Sequence, residues 1–172
     1  GLAPLDLPAP VAPFTWRVDD QQRALAIVER LRAHTERIRV HWAGDRPRLA
    51  SRPATAGDLS LQVQAHRDWF DLKGGVTVDG HDVPLQTLLD AAIEGHGWVP
   101  MSDGQWLGIA EDLRQLLAAA AAAAERRGDE VSLRAVHAPL LDPLMAAGAS
   151  LDAPPAWVQY AQRCREAGEL DV

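Results

Sequence analysis

Between positions 59 and 66 the chain alternates strictly. Leu59, Leu61, Val63 and Ala65 fall on one side, and Ser60, Gln62, Gln64 and His66 on the other. A two-residue period is that of a strand with one buried face. Directly after it, Trp69, Phe70 and Leu72 open a second apolar strand, and Val76 and Val78 alternate with Thr77 and Asp79 before Asp79-Gly80. That dipeptide has the residue types a tight hairpin turn requires. The period then changes: Leu85, Leu88, Leu89 and Ala92 share one helical face behind Pro84, and Gly95 and Gly97 stop the helix. Trp98, Val99 and Met101, then Asp103-Gly104, then Trp106, Leu107 and Ile109 read as a second hairpin.

On either side of this centre the pattern is sparser. Positions 1–18 are proline-rich and aperiodic, a lead-in carrying Leu5, Leu7, Phe14 and Trp16. Asp19 or Asp20 caps a helix with Leu25, Val28 and Leu31 on one face, ending near Thr35. Ile38, Val40 and Trp42 alternate with Arg37, Arg39 and His41, and Gly44-Asp45-Arg46-Pro47 turns the chain toward Arg48–Ala50, which predicts a third hairpin. Downstream, Leu113, Leu116, Leu117 and Ala120 form a helical stripe that runs into seven alanines, 118–124, and ends at Arg126-Arg127-Gly128. Ser132 is placed to cap a further helix through Leu133, Val136 and Leu140, broken by Pro139 and Pro143. Pro154 and Pro155 start a last helix with Trp157, Tyr160, Ala161 and Cys164 on one side and Gly168 after its end. Together these elements predict an α+β fold, a mostly antiparallel sheet of hairpins packed with helices, in one domain over 19–172.

Composition supports a real core, since 47% of the 172 residues are hydrophobic. The formal charge of −7 is unevenly spread: residues 1–67 hold ten arginines against seven acids, net +3, and 68–172 hold seven basic residues against seventeen acids, net −10. Any phosphate-facing surface is therefore expected in the first part. Cys164 is the only cysteine, which excludes an internal disulfide and makes the cytoplasm the simplest location. No apolar run approaches the roughly 18 residues that span a bilayer, so no membrane partner is expected. The chain opens on Gly1 and closes on Leu170-Asp171-Val172, as a piece of a longer polypeptide would.

Catalytic patterns are missing. Lys73, the single lysine, precedes Gly74-Gly75, and no GxxxxGK[ST] loop exists to cradle a triphosphate. Asp129-Glu130 follows Arg126-Arg127-Gly128 rather than the apolar strand that would aim a magnesium-binding pair. The six histidines occur singly, which reads as solvated side chains rather than metal ligands. Cys164 lies on an apolar helix face and no GxSxG elbow surrounds a serine. Asp68 and Asp71 flank an aromatic pair, but their spacing on a strand sends them to opposite faces and points to exposure at the strand start rather than acid and base work. Most tryptophans sit beside apolar faces and read as core. Trp42 is the one best placed to stack on a base, because it ends the strand carrying Arg37 and Arg39, and Arg46, Arg48, Arg52 and Arg67 cluster near it in sequence. Arg37, Arg39, Trp42, Arg46 and Arg48 are therefore the candidate contact with phosphate or with a neighbouring domain, against the plainer reading of a solvated hairpin face.

The series DWFDL, VTVDG, PLQTLLDA and WVPMSDGQWLGI resembles the helicase-associated domain of bacterial SWI/SNF-family proteins, with a likeness covering roughly 37–170. The resemblance implies a non-catalytic accessory domain preceding the core of a DNA-dependent, helicase-like ATPase. The ATPase core of the same polypeptide is then its partner, and DNA, ATP and magnesium belong to that hydrolase and not to this chain. A stand-alone protein-interaction module, using the proline-rich start and the acidic second half, is the competing reading.

Overall fold

A computed structural model describes residues 7–34, 36–37, 39–66, 69–127 and 130–169. The readings that fell on Leu5, Thr35, Ile38, Arg67, Asp68, Gly128 and Asp129 lie outside the described residues. The chain divides into two compact units, 1–49 and 50–172, and the expected lead-in boundary at 18/19 falls inside the first.

In the first unit, helix α1 spans Gln21–Ala33, and the Asp20 carboxylate accepts the Arg23 N–H at 2.7 Å, which satisfies one of the donors a helix start leaves open. Leu25 is buried, with Val28 and Leu31 half-buried along the same face. Before the helix, the Val11 N–H donates to the Thr15 carbonyl at 2.8 Å and the Thr15 N–H returns to Ala12 at 2.9 Å. This tight turn holds Phe14 at φ +57 and 92% exposed.

The hairpin expected over 38–50 does not form: residues 39–48 contain no strand. Two features of the sequence account for this. The return arm would be only three residues long and begins next to Pro47, which has no N–H for a ladder, and an isolated two-stranded pair is marginal in water even without such a defect. The last of those residues is also engaged elsewhere, because the Ala50 N–H donates to the Trp106 carbonyl at 2.9 Å in the second unit.

The second unit is α+β. Its strands are β1 (Leu59–Ala65), β2 (Trp69–Val78), β3 (His81–Pro84), β4 (Trp98–Pro100), β5 (Trp106–Gly108), β6 (Ala124–Arg127), β7 (Glu130–Arg134) and β8 (Ser150–Asp152). Its helices are α2 (Leu85–Glu94), α3 (Glu111–Ala121), α4 (Asp142–Ala146) and α5 (Pro155–Glu169). The main sheet runs β6-β7-β2-β1-β8, with β3 also paired to β2; all pairings are antiparallel except β1 with β8. β2 is the spine. Its first half pairs with β7, Phe70 opposite Leu133, and its second half with β3, Val76 opposite Val83, while β1 runs along the other side. β4 and β5 form a separate pair, on which the segment 50–54 rests through Ala54 N–H to Gly108 O at 2.8 Å.

The two-residue period sorts the sheet's faces. Leu59, Leu61, Val63, Phe70, Leu72, Val76, Val131 and Leu133 are buried, together with Leu85, Leu88 and Leu89 of α2 and Leu113 and Leu117 of α3. A cavity of about 10 Å³ remains among them, lined wholly by apolar side chains including Leu61, Leu72, Leu89, Leu117 and Leu144. Ser60, Gln62, Gln64, Lys73, Ser150 and Asp152 on the opposite face are exposed, the usual arrangement for an antiparallel sheet with one covered side. Trp157 of α5 packs edge-on against Phe70 with ring centroids 4.6 Å apart.

Three further expectations are corrected. Helix α3 stops at Ala121, and the seventh alanine, Ala124, is already in β6. Alanine exceeds most residues in helix propensity by only about 0.5 kcal/mol, and the pairing of β6 with β7 outweighs that. Ser132 caps no helix; it lies inside β7, where Val131 and Leu133 on either side of it are buried. The 3.6-residue reading of Leu133, Val136 and Leu140 competed with a two-residue period over 131–134, and sheet pairing decided it. At the C-terminal end, α5 continues through Gly168 to Glu169.

Candidate interaction surface

Arg37, Arg39, Trp42, Arg46 and Arg48 follow one another along the strand-free segment of the first unit, and all five are exposed, Trp42 by 41%. Without the hairpin, no ladder fixes their register. The side chains of Arg37, Arg39 and Arg46 make no hydrogen bond or ion pair among the described residues. The arrangement offers guanidinium groups and an indole to a ligand from an irregular segment that bends at Ala43 and Gly44, rather than from one face of a rigid sheet.

In the second unit the tryptophans divide. Trp98 and Trp157 are core, as expected, while Trp69 and Trp106 are half-buried. Asp71 departs from expectation. It is 5% exposed on the otherwise polar face of the sheet, directly across from Ser132. The Ser132 hydroxyl donates to Asp71 Oδ1 at 2.7 Å, and His66 Nε2 lies 2.6 Å from Oδ2. The imidazole is stacked on Trp69, with centroids 5.3 Å apart and planes 17° from parallel. Serine, histidine and aspartate are the residue types of a hydrolase triad, but the order is wrong. Nucleophilic catalysis needs the histidine between serine and carboxylate, to take the serine proton. Here the carboxylate is in the middle, and Ser132, 2% exposed, has no access to a substrate. The trio serves to satisfy a buried carboxylate and to fix the Trp69 ring.

The chain matches no protein-family model, no curated protein and no solved structure.

A third polar cluster gathers at the turns. Asp79 and Gly80 adopt φ +53 and +78 between β2 and β3, the left-handed pair of a two-residue hairpin turn. The Asp79 carboxylate accepts the Ser51 N–H at 2.6 Å and the Ser51 hydroxyl at 2.5 Å. These bonds, with the Arg52 and His81 charges nearby, lower its pKa. Arg52 makes two bonds to Asp58, at 2.7 and 2.5 Å, and Thr55 adds its N–H and hydroxyl, each at 2.9 Å. Arg52 above all, then Thr55, hold the Asp58 carboxyl far below the usual carboxylate range against the opposing effect of burial. In the β4–β5 loop, Asp103 accepts from the Gln105 N–H at 3.1 Å and lies 3.5 Å from His81 Nε2. Desolvation acts to raise the Asp103 pKa, but the Gln105 bonds and the His81 charge bring it out below the ordinary value. The two Asp-Gly turns are thereby linked through His81. Sequence reading treated His66 and His81 as solvated; each lies against a carboxylate supplied by another segment, which spacing along the chain does not reveal.

These carboxylates set a pH response. Asp58 and Asp79 titrate lower in the folded chain than in the unfolded one, so their contribution is complete above the ordinary carboxylate pKa of about 4 and is lost as pH falls through the folded values. Asp58→Asn is expected to be less stable than the parent at pH 7, with the difference shrinking toward pH 2.5. Urea unfolding at both pH values checks this, and a difference that grows in acid contradicts it.

Among the described residues, no group of three or more His, Cys, Asp or Glu side chains is placed to hold a metal ion, and no helix is long and apolar enough to cross a membrane. The Nδ1 of His137 is the one described buried side-chain polar atom without a partner.

Proposed function

We propose that this chain is a non-catalytic accessory domain of a bacterial SWI/SNF-like DNA-dependent ATPase, positioning or regulating a motor that lies outside these residues. One observation carries the reading. The acidic residues of the motif stretches that are described within β2 and the two Asp-Gly turns, Asp71, Asp79 and Asp103, each use their carboxylate on an internal partner: Ser132 and His66, Ser51, and Gln105. Polar groups committed to holding strands and turns are what an architectural motif needs, and they are not available to a substrate.

On this reading the cytoplasmic ATPase core of the same polypeptide is the partner, and ATP, magnesium and DNA are that core's ligands. Arg37, Arg39, Trp42, Arg46 and Arg48 form the contact with phosphate or with the motor. The test has two parts. The source reading frame is expected to encode GK[ST] and Asp-Glu motor motifs. The purified chain, supplied with DNA, ATP and magnesium, is expected to release no phosphate; turnover by the chain alone overturns the proposal.

A second reading, a stand-alone protein-interaction module, is favoured by the exposure of Val11, Phe14 and Trp16, at 63, 92 and 42%, within the proline-rich lead-in. A source reading frame without motor motifs selects it.

A further inference from the structure

The strand-free segment that carries the exposed arginines suits one class of nucleic acid better than another. We infer that residues 37–48 bind single-stranded nucleic acid in preference to duplex, with Trp42 stacking on an unpaired base and Arg37, Arg39 and Arg46 contacting phosphates. The inference deepens the reading of this segment as a phosphate contact and rests on it.

Three observations support it. Residues 37–48 hold four arginines against one acid, Asp45, in a chain whose overall charge is −7; the local surplus gives electrostatic complementarity to phosphate where the rest of the molecule does not. Trp42 is 41% exposed within that charge. An indole beside cations is the combination that binds unpaired bases regardless of sequence, because every base has a face to stack on. Finally, residues 39–48 contain neither helix nor strand. A duplex hides its base faces and is read by a rigid element fitted into a groove, whereas an irregular segment is not shaped to a groove and can present guanidinium and aromatic groups to an unpaired strand. Residues 50–172 hold nine basic side chains against eighteen acids and are expected to stay away from the strand.

The experiment uses the whole chain and a fluorescein-labelled oligothymidylate, with a duplex of equal length for comparison, followed by fluorescence anisotropy at low salt. The single strand is expected to bind about tenfold tighter than the duplex. Trp42→Ala is expected to weaken single-strand binding by about tenfold, the loss of one base–aromatic stack, and to leave duplex binding unchanged. Three phosphate contacts give a slope of log affinity against log salt of about −2 for a single strand, and the combined charge reversal R37E, R39E and R46E is expected to remove both the binding and the slope. All of these positions are exposed and outside regular structure, so circular dichroism spectra should be unchanged. Equal affinity for both forms with Trp42→Ala silent overturns the single-strand inference and leaves the phosphate reading standing. Binding that survives the charge reversal, or no binding of either form by the parent, overturns both.

Discussion

Gly74→Ala is expected to be among the most damaging single-methyl changes in the chain, costing about 3 kcal/mol or more. Gly74 lies in the spine strand β2 at φ +126, outside the conformations L residues adopt readily. A Cβ there would also overlap the backbone carbonyl oxygen of Ser60 in β1, with the Ser60 carbonyl carbon and Leu61 Cα close behind. None of these atoms belongs to a flexible side chain, so β1 itself must move. β1 is paired to β2 along seven residues, Leu59 opposite Val76 through Ala65 opposite Phe70, and holds β8 on its other edge. Gly80→Ala is the control. Gly80 also has positive φ, +78, but open space surrounds its Cβ position, so the cost is that of a left-handed residue alone, about 1 kcal/mol. Urea unfolding of both variants separates steric overlap from backbone preference. Equal losses would mean that β1 and β2 are not packed as described.

Asp71→Ala is the second large effect, expected to cost about 2–4 kcal/mol. Removing the carboxylate leaves the Ser132 hydroxyl, 2% exposed, without its acceptor and frees His66 from its partner. The two sites lie directly opposite each other on β2 and β7, so their effects should not add. Ser132→Ala in the Asp71→Ala background is expected to cost little further, or to recover some stability, because it removes the unsatisfied hydroxyl. Additive losses would indicate that the Ser132–Asp71 bond is not the source. Trp69 provides a spectroscopic companion: with His66 no longer fixed against Asp71, its fluorescence should change in the folded protein.

Most of the second unit was legible where a rule acts over a few residues. The alternation over Leu59–Ala65 became β1, Asp79-Gly80 became a left-handed turn, and Leu85, Leu88 and Leu89 became the buried face of α2, which ends at Gly95. Legibility failed where the decision was made from far away. β8 joins β1 from some ninety residues downstream and in parallel, and nothing within Ser150–Asp152 announces it. Ala124 and Ser132 left their predicted helices because β6, β7 and β2 pair. Asp71 looked exposed because its partner Ser132 is 61 positions away. The arginine segment shows the converse: residues 38–42 have a strand's alternation, but the intended return arm begins next to Pro47 and delivers Ala50 to Trp106 instead. The candidate residues Arg37, Arg39, Trp42, Arg46 and Arg48 were identified by charge and aromatic character, which survive the loss of the hairpin. Their arrangement in space was not legible.

The central claim, that these residues modulate a motor and are not one, is tested most directly by DNA-stimulated ATP hydrolysis of the polypeptide encoded by the source reading frame, with and without residues 50–172. The account predicts that the shortened protein still hydrolyses ATP but at a rate changed several-fold. An unchanged rate, or complete loss of hydrolysis in a shortened protein that remains folded, would contradict it.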